Sequence, residues 1–419
     1  MNNSLAPLAL LLVASMANSQ PVELDWDITL SANTSQHRDS KLLGSPDSKS
    51  TETLDAVLDV QFEAFGLTGL LAAKGSQIYS SDDSQSYKGE LIAQELFWQG
   101  GLDIFSLPVD LTLGKARLDW GVGYGYRPLD LFKPYRRNPV GIQVEEGTGT
   151  AMASYFDLAG EWSVFYTDSS WTKQQGSELE QASEQQGFGV RRYALTGDNE
   201  WQILAYYDDV RHGVVGGSLV TVFDEAWSLH SSVVYQNKYL GYRQSDINLP
   251  VTLDKQENGY QALLGVNWAN VTGHNIIVEY WFDSRSWNNS DWQQAYHRVA
   301  TLSDVRLRPI ASSYAQGLSH VNLVQHNLLF HWSMNSMAWS QWAQHQLWLD
   351  KLTPTFDLLY SPQDRGVIAT QWLEYQVYDS GSVSLFAELA ARFMTGSQDS
   401  LYANLSDKRM IFLNLKGKF

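Results

Sequence analysis

Apolar and polar residues alternate at period two along much of the chain. From Val22 to Ala32, Val22, Leu24, Trp26, Ile28, Leu30 and Ala32 fall on one face, and Glu23, Asp25, Asp27, Thr29 and Ser31 on the other. From Leu54 to Phe65 the apolar face is Leu54, Ala56, Leu58, Val60, Phe62 and Ala64, opposed by Asp55, Asp59, Gln61 and Glu63. Val383, Leu385, Ala387, Leu389, Ala391 and Phe393 likewise oppose Ser384, Glu388 and Arg392. The pattern predicts strands near 22–33, 54–65, 67–78, 88–99, 104–116, 148–157, 160–168, 187–195 and 200–209. It continues near 213–222, 226–236, 257–268, 274–285, 319–333, 340–350, 366–377, 381–393 and 408–419. Segment 319–333 keeps no single apolar face, which predicts a bulge, and Thr355–Tyr360 is placed in a loop. Short links such as 66, 100–103, 196–199 and 378–380 alternate with long ones such as 34–53, 117–147, 237–256 and 286–318. That alternation puts both termini on one side.

These features predict an all-β fold, a transmembrane antiparallel β-barrel of about eighteen strands, with sixteen as the alternative. A soluble sandwich would also alternate, but strands this numerous would make an unusually large one. No linker divides the chain, so residues 18–419 read as one barrel domain. Aromatic residues make up 13% of the chain, which fits belts at two membrane interfaces. No apolar run reaches the ~20 residues of a spanning helix. The 419 residues hold no cysteine, which excludes disulfides, thiolate metal sites and a Cys nucleophile. Lys and Arg number 29 against 46 Asp and Glu, a net charge of −17 that repels nucleic-acid backbones.

The two ends supply targeting information. Leu5–Ala14 has the length of a secretory apolar core, and Ser15-Met16-Ala17 is a small-residue cleavage site, so residues 1–17 read as a signal peptide. At the other end Ile411, Leu413, Leu415, Gly417 and Phe419 share a face opposite Asn414, Lys416 and Lys418. This ending resembles the C-terminal signal of Gram-negative outer-membrane barrels, a final strand closing on Phe. The resemblance covers about ten residues. It implies location in the outer membrane, contact with its lipid and lipopolysaccharide, and recognition by the barrel-assembly machinery through Phe419.

The segment Gly114–Glu146 is distinctive. Gly121, Gly123, Gly125, Pro128, Pro134, Pro139 and Gly141 preclude a long regular element. It concentrates Arg127, Lys133, Arg136 and Arg137 in an otherwise acidic chain. Gly121-x-Gly123 has no following helix or Walker lysine, so it is not a nucleotide cradle. The run Gly-Lys…Trp-Gly-x-Gly…Pro-Leu-Asp resembles a stretch of porin and polysaccharide-export-like barrels over some thirty residues. In many general porins the loop at this place folds inward, which makes 117–147 a candidate constriction with Arg127, Lys133, Arg136 and Arg137 facing the solute. The alternative is a surface loop whose cations hold lipopolysaccharide phosphates.

Alternation aims Asp25, Asp27, Asp55, Asp59 and Glu63 into the lumen as an acidic wall facing the basic loop. Such an arrangement would set a transverse field across the pore; a plain hydrated interior is the simpler account. Nine scattered histidines show no metal-site spacing, and no cofactor is called for. His320 and His326 fall on one face of a predicted strand, about 20 Å apart at strand rise, too far for one metal. Asp82-Asp83 and Asp208-Asp209 with His212 invite comparison with outer-membrane proteases of the omptin type, whose surrounding motifs they lack. The function expected is therefore non-enzymatic: a porin-like channel for passive diffusion of small hydrophilic solutes, anionic or sugar-like. A structural or docking barrel for an export or electron-transfer partner, which would fill the lumen, is the alternative, and an outer-membrane hydrolase the second; a homo-oligomer is open as a further partner.

Overall fold

The computed structural model describes residues 23–80, 85–132, 140–172, 176–247, 249–302, 304–335, 338–339, 346 and 348–419. The candidate leader 1–17 and Asp82-Asp83 lie outside them. The first six strands are β1 (Glu23–His37), β2 (Ser50–Ala64), β3 (Leu67–Ser80), β4 (Gln85–Ile104), β5 (Leu107–Ala116) and β6 (Thr148–Phe156). Next come β7 (Gly160–Asp168), β8 (Gln186–Thr196), β9 (Asn199–Asp208), β10 (Val214–Val222), β11 (Trp227–Arg243) and β12 (Thr252–Ala269). The last are β13 (His274–Asp283), β14 (His326–Met334), β15 (Leu352–Ser361), β16 (Gly366–Asp379), β17 (Ser384–Gly396) and β18 (Asp407–Lys418). Each pairs antiparallel with its sequence neighbours, and β1 pairs with β18, so eighteen strands close into a barrel without an edge.

The closing seam runs to the last residue. Trp26 and Phe419 exchange both backbone hydrogen bonds, and their rings stack with centroids 3.9 Å apart and planes 6° apart. The outward face of the strands is apolar and uncovered: Leu30, Leu58, Leu389 and Leu413 are 37–53% exposed. A closed sheet with a greasy exterior is the β solution to crossing a bilayer, because every strand N–H and C=O finds a partner within the protein. Aromatic residues cluster at both ends of the wall, for example Phe105, Trp162 and Trp227 on the side of the termini and Tyr87, Tyr166 and Phe188 on the opposite side. The sequence placed short turns on the side of both termini, and the described strands keep that parity except around β15, where the link on the termini side is 335–351 and the opposite one only 362–365.

Three local expectations fail, each for a physical reason. The strand expected at 319–333 begins only at His326 and keeps register with both neighbours without a bulge, because Tyr314–Ser319 is a helical turn of the connection before it, which is why no single apolar face runs through the segment. Strand fifteen is Leu352–Ser361, not 340–350, so Thr355–Tyr360 lies in the wall. As a nineteenth strand it would break the alternation of short and long connections; as strand fifteen it does not, and it tolerates Pro354 because the β14 ladder begins only at Thr355↔Ser333, so the missing proline N–H breaks no bond on that side. The β4–β5 turn is Phe105-Ser106, not 100–103; both turn residues have positive φ (51° and 66°) although neither is glycine.

Strand lengths are uneven. The six strands β5–β10 have 9–11 residues, about the minimum that spans a bilayer, whereas β4, β11 and β12 have 17–20. Above the wall, the connection 284–325 is built on the helix Asn289–Thr301, which starts with a reciprocal capping box between Asn288 and Asp291. Its Trp287, Trp292, Tyr296 and Tyr314 pack with Leu42, Leu179, Leu401 and Tyr402 from three other long loops and with Ile368 and Met394 at the tops of β16 and β17. The outer mouth thus carries a cap with its own apolar core.

Lipid contact of the outward face predicts that Leu413→Arg costs about 2–4 kcal/mol, the penalty for a guanidinium near the bilayer midplane. Denaturant unfolding of the barrel refolded into lipid vesicles checks it.

Candidate functional site: the loop across the lumen

The connection between β5 and β6 leaves and rejoins the wall where Ala116 pairs with Thr148. At its entry, Arg117 forms an ion pair with Glu95 (3.2 Å) and donates its backbone N–H to the same carboxylate (3.0 Å). At its exit, Glu146 forms a buried ion pair with Lys115, and the Gly147 N–H donates to the Gln94 carbonyl (2.8 Å).

Between those points the loop lies inside the barrel. Leu118, Leu129, Leu131 and Phe132 pack on Phe165, Leu204, Tyr206, Val214 and Val234, inward residues of β7, β9, β10 and β11. Tyr126, with Val122 and Tyr124, packs on Leu263, Trp281 and Leu329 of β12, β13 and β14. On the return, Val140 meets Ala390 and Phe412 of β17 and β18, and Val144 meets Val57, Ala72 and Ile92 of β2, β3 and β4. The described loop residues therefore touch the wall nearly all the way round, so solute crossing the barrel must pass the loop.

Polar contacts fix the first arm. The backbone N–H groups of Tyr124 and Gly125 donate to the two oxygens of Glu279, each at 2.6 Å. Glu279 is fully buried and also holds His230 Nε2 at 2.7 Å. A Cβ on Gly125 would crowd Trp281, Leu329 and that carboxylate, so the close approach needs glycine. The Tyr124 hydroxyl and the Asp357 carboxylate both lie within hydrogen-bond distance of His331 Nδ1, at 2.8 and 2.6 Å. The Tyr126 hydroxyl donates to Asp283 (3.0 Å), receives the Gln261 amide and Arg285 Nη2, and is held well above the usual phenol range by burial and the neighbouring Asp283 charge.

Above this arm, between the loop and the cap, is a cavity of about 430 Å³. Among the described residues, three arginines face it. Arg127 lies 3.8 Å from Asp130, Arg211 2.7 Å from Asp208, and Arg285 2.8 Å from Asp283. Glu145, Glu180 and Glu184 line it too, so the described lining is mixed in sign rather than a bare cationic ring. Mixed charge holds water and small polar solutes and orients those with a dipole.

Of the residues singled out from sequence, Arg127 faces this cavity, whereas Lys133, Arg136 and Arg137 lie outside the described residues. The acidic residues take the expected register on β1 and β2. Asp27 sits directly opposite Asp59, Glu23 opposite Glu63, Asp25 opposite Gln61 and Asp55 opposite Ser31. Like charges placed so repel; Lys418 lies opposite Asp27 on its other side, and Gln94 donates to Asp59 (2.5 Å). Asp208 caps the turn before β10, accepting the N–H groups of Val210 and Arg211, and His212 packs edge-on to Tyr207, so this group serves the fold. His320 and His326 share no strand: His320 lies buried under the cap, and His326 bonds the outward Tyr280 (2.7 Å). Sequence reading missed Glu279, Asp357, His230 and His331, taking the histidines as polar lining. The signal was Glu279 and Asp357 standing alone inside apolar runs, Ile276–Phe282 and Phe356–Tyr360.

The Lys115–Glu146 pair generates a prediction. Lys115→Met strands a buried carboxylate and costs about 3–5 kcal/mol, while adding Glu146→Leu recovers most of the loss. A double-mutant cycle by denaturant unfolding reads both.

No family model and no curated protein sequence matches the chain. Solved structures do. The barrel is similar to OccAB1 of Acinetobacter baumannii, with a TM-score of 0.57 at 9% identity over 95% of this chain and 96% of that one. It is also similar to OccK7 (OpdD) of Pseudomonas aeruginosa, with a TM-score of 0.50 at 8% identity over 95% and 98%. The likeness spans whole barrels, and it is one of fold.

Proposed function

We propose that the protein is an outer-membrane channel for passive diffusion of small hydrophilic solutes, anionic or sugar-like, with loop 117–147 as its filter. The observation that carries this reading is a closed barrel of eighteen strands crossed by a loop that leaves a cavity of about 430 Å³ lined by charged groups. A barrel of this size is wide enough for water unless loops fill it. The whole-barrel likeness to OccAB1 and OccK7 (OpdD) supports the fold this reading needs. The loop takes up room that a protein threaded through the barrel would need, which favours the channel over a docking sleeve. No catalytic step is assigned.

On this reading residues 1–17 are a leader removed on export, and Phe419 is the residue the assembly machinery recognises. The aromatic and apolar exterior faces lipid and, on the outside, lipopolysaccharide. Arg127 acts with Lys133, Arg136 and Arg137 on the passing solute. Asp25, Asp27, Asp55, Asp59 and Glu63 supply the opposite sign on the far wall, and the field between them orients dipolar solutes.

The test is conductance of the refolded barrel in a planar bilayer across a salt gradient. Discrete open steps are expected. Replacing Arg127, Arg136 and Arg137 by Gln removes anion-attracting charge, so the reversal potential moves toward that of the cation. Steps without that shift discard the loop as filter, and silence from folded protein overturns the channel.

A further inference from the structure

We infer that Glu279 is the positioning residue that holds loop 117–147 in the lumen. The inference rests on the channel reading for its consequence, and on geometry for its substance. Glu279 stands mid-strand on β13, fully buried, where an ionised side chain is costly unless its oxygens are all satisfied. Both oxygens are. Oε1 takes the Tyr124 N–H and Oε2 the Gly125 N–H, each at 2.6 Å, and His230 Nε2 lies 2.7 Å from Oε1. Hydrogen bonds to an ionised acceptor are the strong kind, and two consecutive amides gripping one carboxylate define position and orientation together.

The wall is shaped for this. His230 is on β11 and Glu279 on β13, with β12 between them. The residue between is Gly265, paired with His230 on one side and Glu279 on the other. A Cβ there would collide with the His230 ring, so glycine alone lets imidazole reach across a strand to the carboxylate. The loop glycine opposite, Gly125, makes the matching concession. Other polar anchors of this arm are the Tyr124 hydroxyl on His331, the Tyr126 hydroxyl on Asp283, the Gln202 amide on the Trp120 carbonyl and the Glu95 carboxylate on Arg117. Glu95 takes one loop amide at the entry and Arg211 one loop carbonyl, whereas Glu279 takes two consecutive amides at the middle of the arm, so the arm's position follows it more than any lining residue.

The experiment uses the full-length barrel refolded in lipid. The chain has no cysteine, so Val122→Cys places a sole thiol on the seated arm. Its reaction with a membrane-impermeant maleimide measures how often the arm leaves the wall. Glu279→Gln offers a donor where an amide needs an acceptor, and labelling accelerates about tenfold or more. Glu279→Asp, which keeps the charge but retracts it, gives an intermediate rate and stands in should the Gln variant fail to fold. His230→Gln leaves both amide bonds in place and changes the rate by less than about threefold. In the bilayer, Glu279→Gln gives noisier steps and a shifted reversal potential while the unfolding midpoint of the barrel stays near the parent's. Unchanged labelling in both Glu279 variants overturns the inference even if the parent conducts. A silent parent with accelerated labelling sinks the channel and leaves the positioning role standing.

Discussion

A strand that crosses a bilayer meets no water there, so each of its N–H and C=O groups must pair within the protein. Closing eighteen strands through β1 and β18 meets that demand, and most other features follow from it. Closure forces the pleat to present one face to lipid and the other to the lumen. The lipid face becomes apolar, and the lumen is left to polar residues and to whatever the chain folds inside. The Trp26–Phe419 stack matters because it sits on the seam where closure is completed.

The lumen is not uniformly polar. Phe165, Leu204, Val234, Leu263, Trp281, Leu329, Val57 and Phe412 all point inward, and each lies under a described part of loop 117–147. The loop is thus a small core folded against the inside of a wall, with charged clamps at both ends. Its glycines allow close approach and its prolines deny it regular structure. The result is a fixed partition, with the mixed-charge cavity on its outer side beneath the cap.

Much of this was legible because period-two alternation is imposed by physics on every strand. Strand number, closure and terminal placement follow from it. Errors fell where a general rule was pressed locally. The parity of short and long connections put Thr355–Tyr360 in a loop, yet Leu352–Ser361 is a strand, and Pro354 sits where the ladder does not need its N–H. Phe105-Ser106 make a tight turn with positive φ without glycine. The cap helix has a readable stripe, Trp292, Ala295, Tyr296 and Val299 at helical spacing behind Asn288, in a stretch otherwise marked only by its length. The loop's cations were visible as composition, and Arg127 finds Asp130 within the loop itself. The wall groups that hold the loop were not visible: Glu95, Asp283 and Glu279 are brought to it by barrel curvature, a relation between strands far apart in sequence.

The claim that most depends on this account is that the loop, not the wall, sets what passes. Ala116 and Thr148 already face each other across the β5–β6 ladder, so residues between them can be replaced by a two-residue turn without disturbing register. Single-channel conductance of that shortened barrel is the direct measurement. The account predicts open steps several-fold larger than the parent's, with weaker ion selectivity. Steps of parental size and selectivity from the shortened barrel would contradict it.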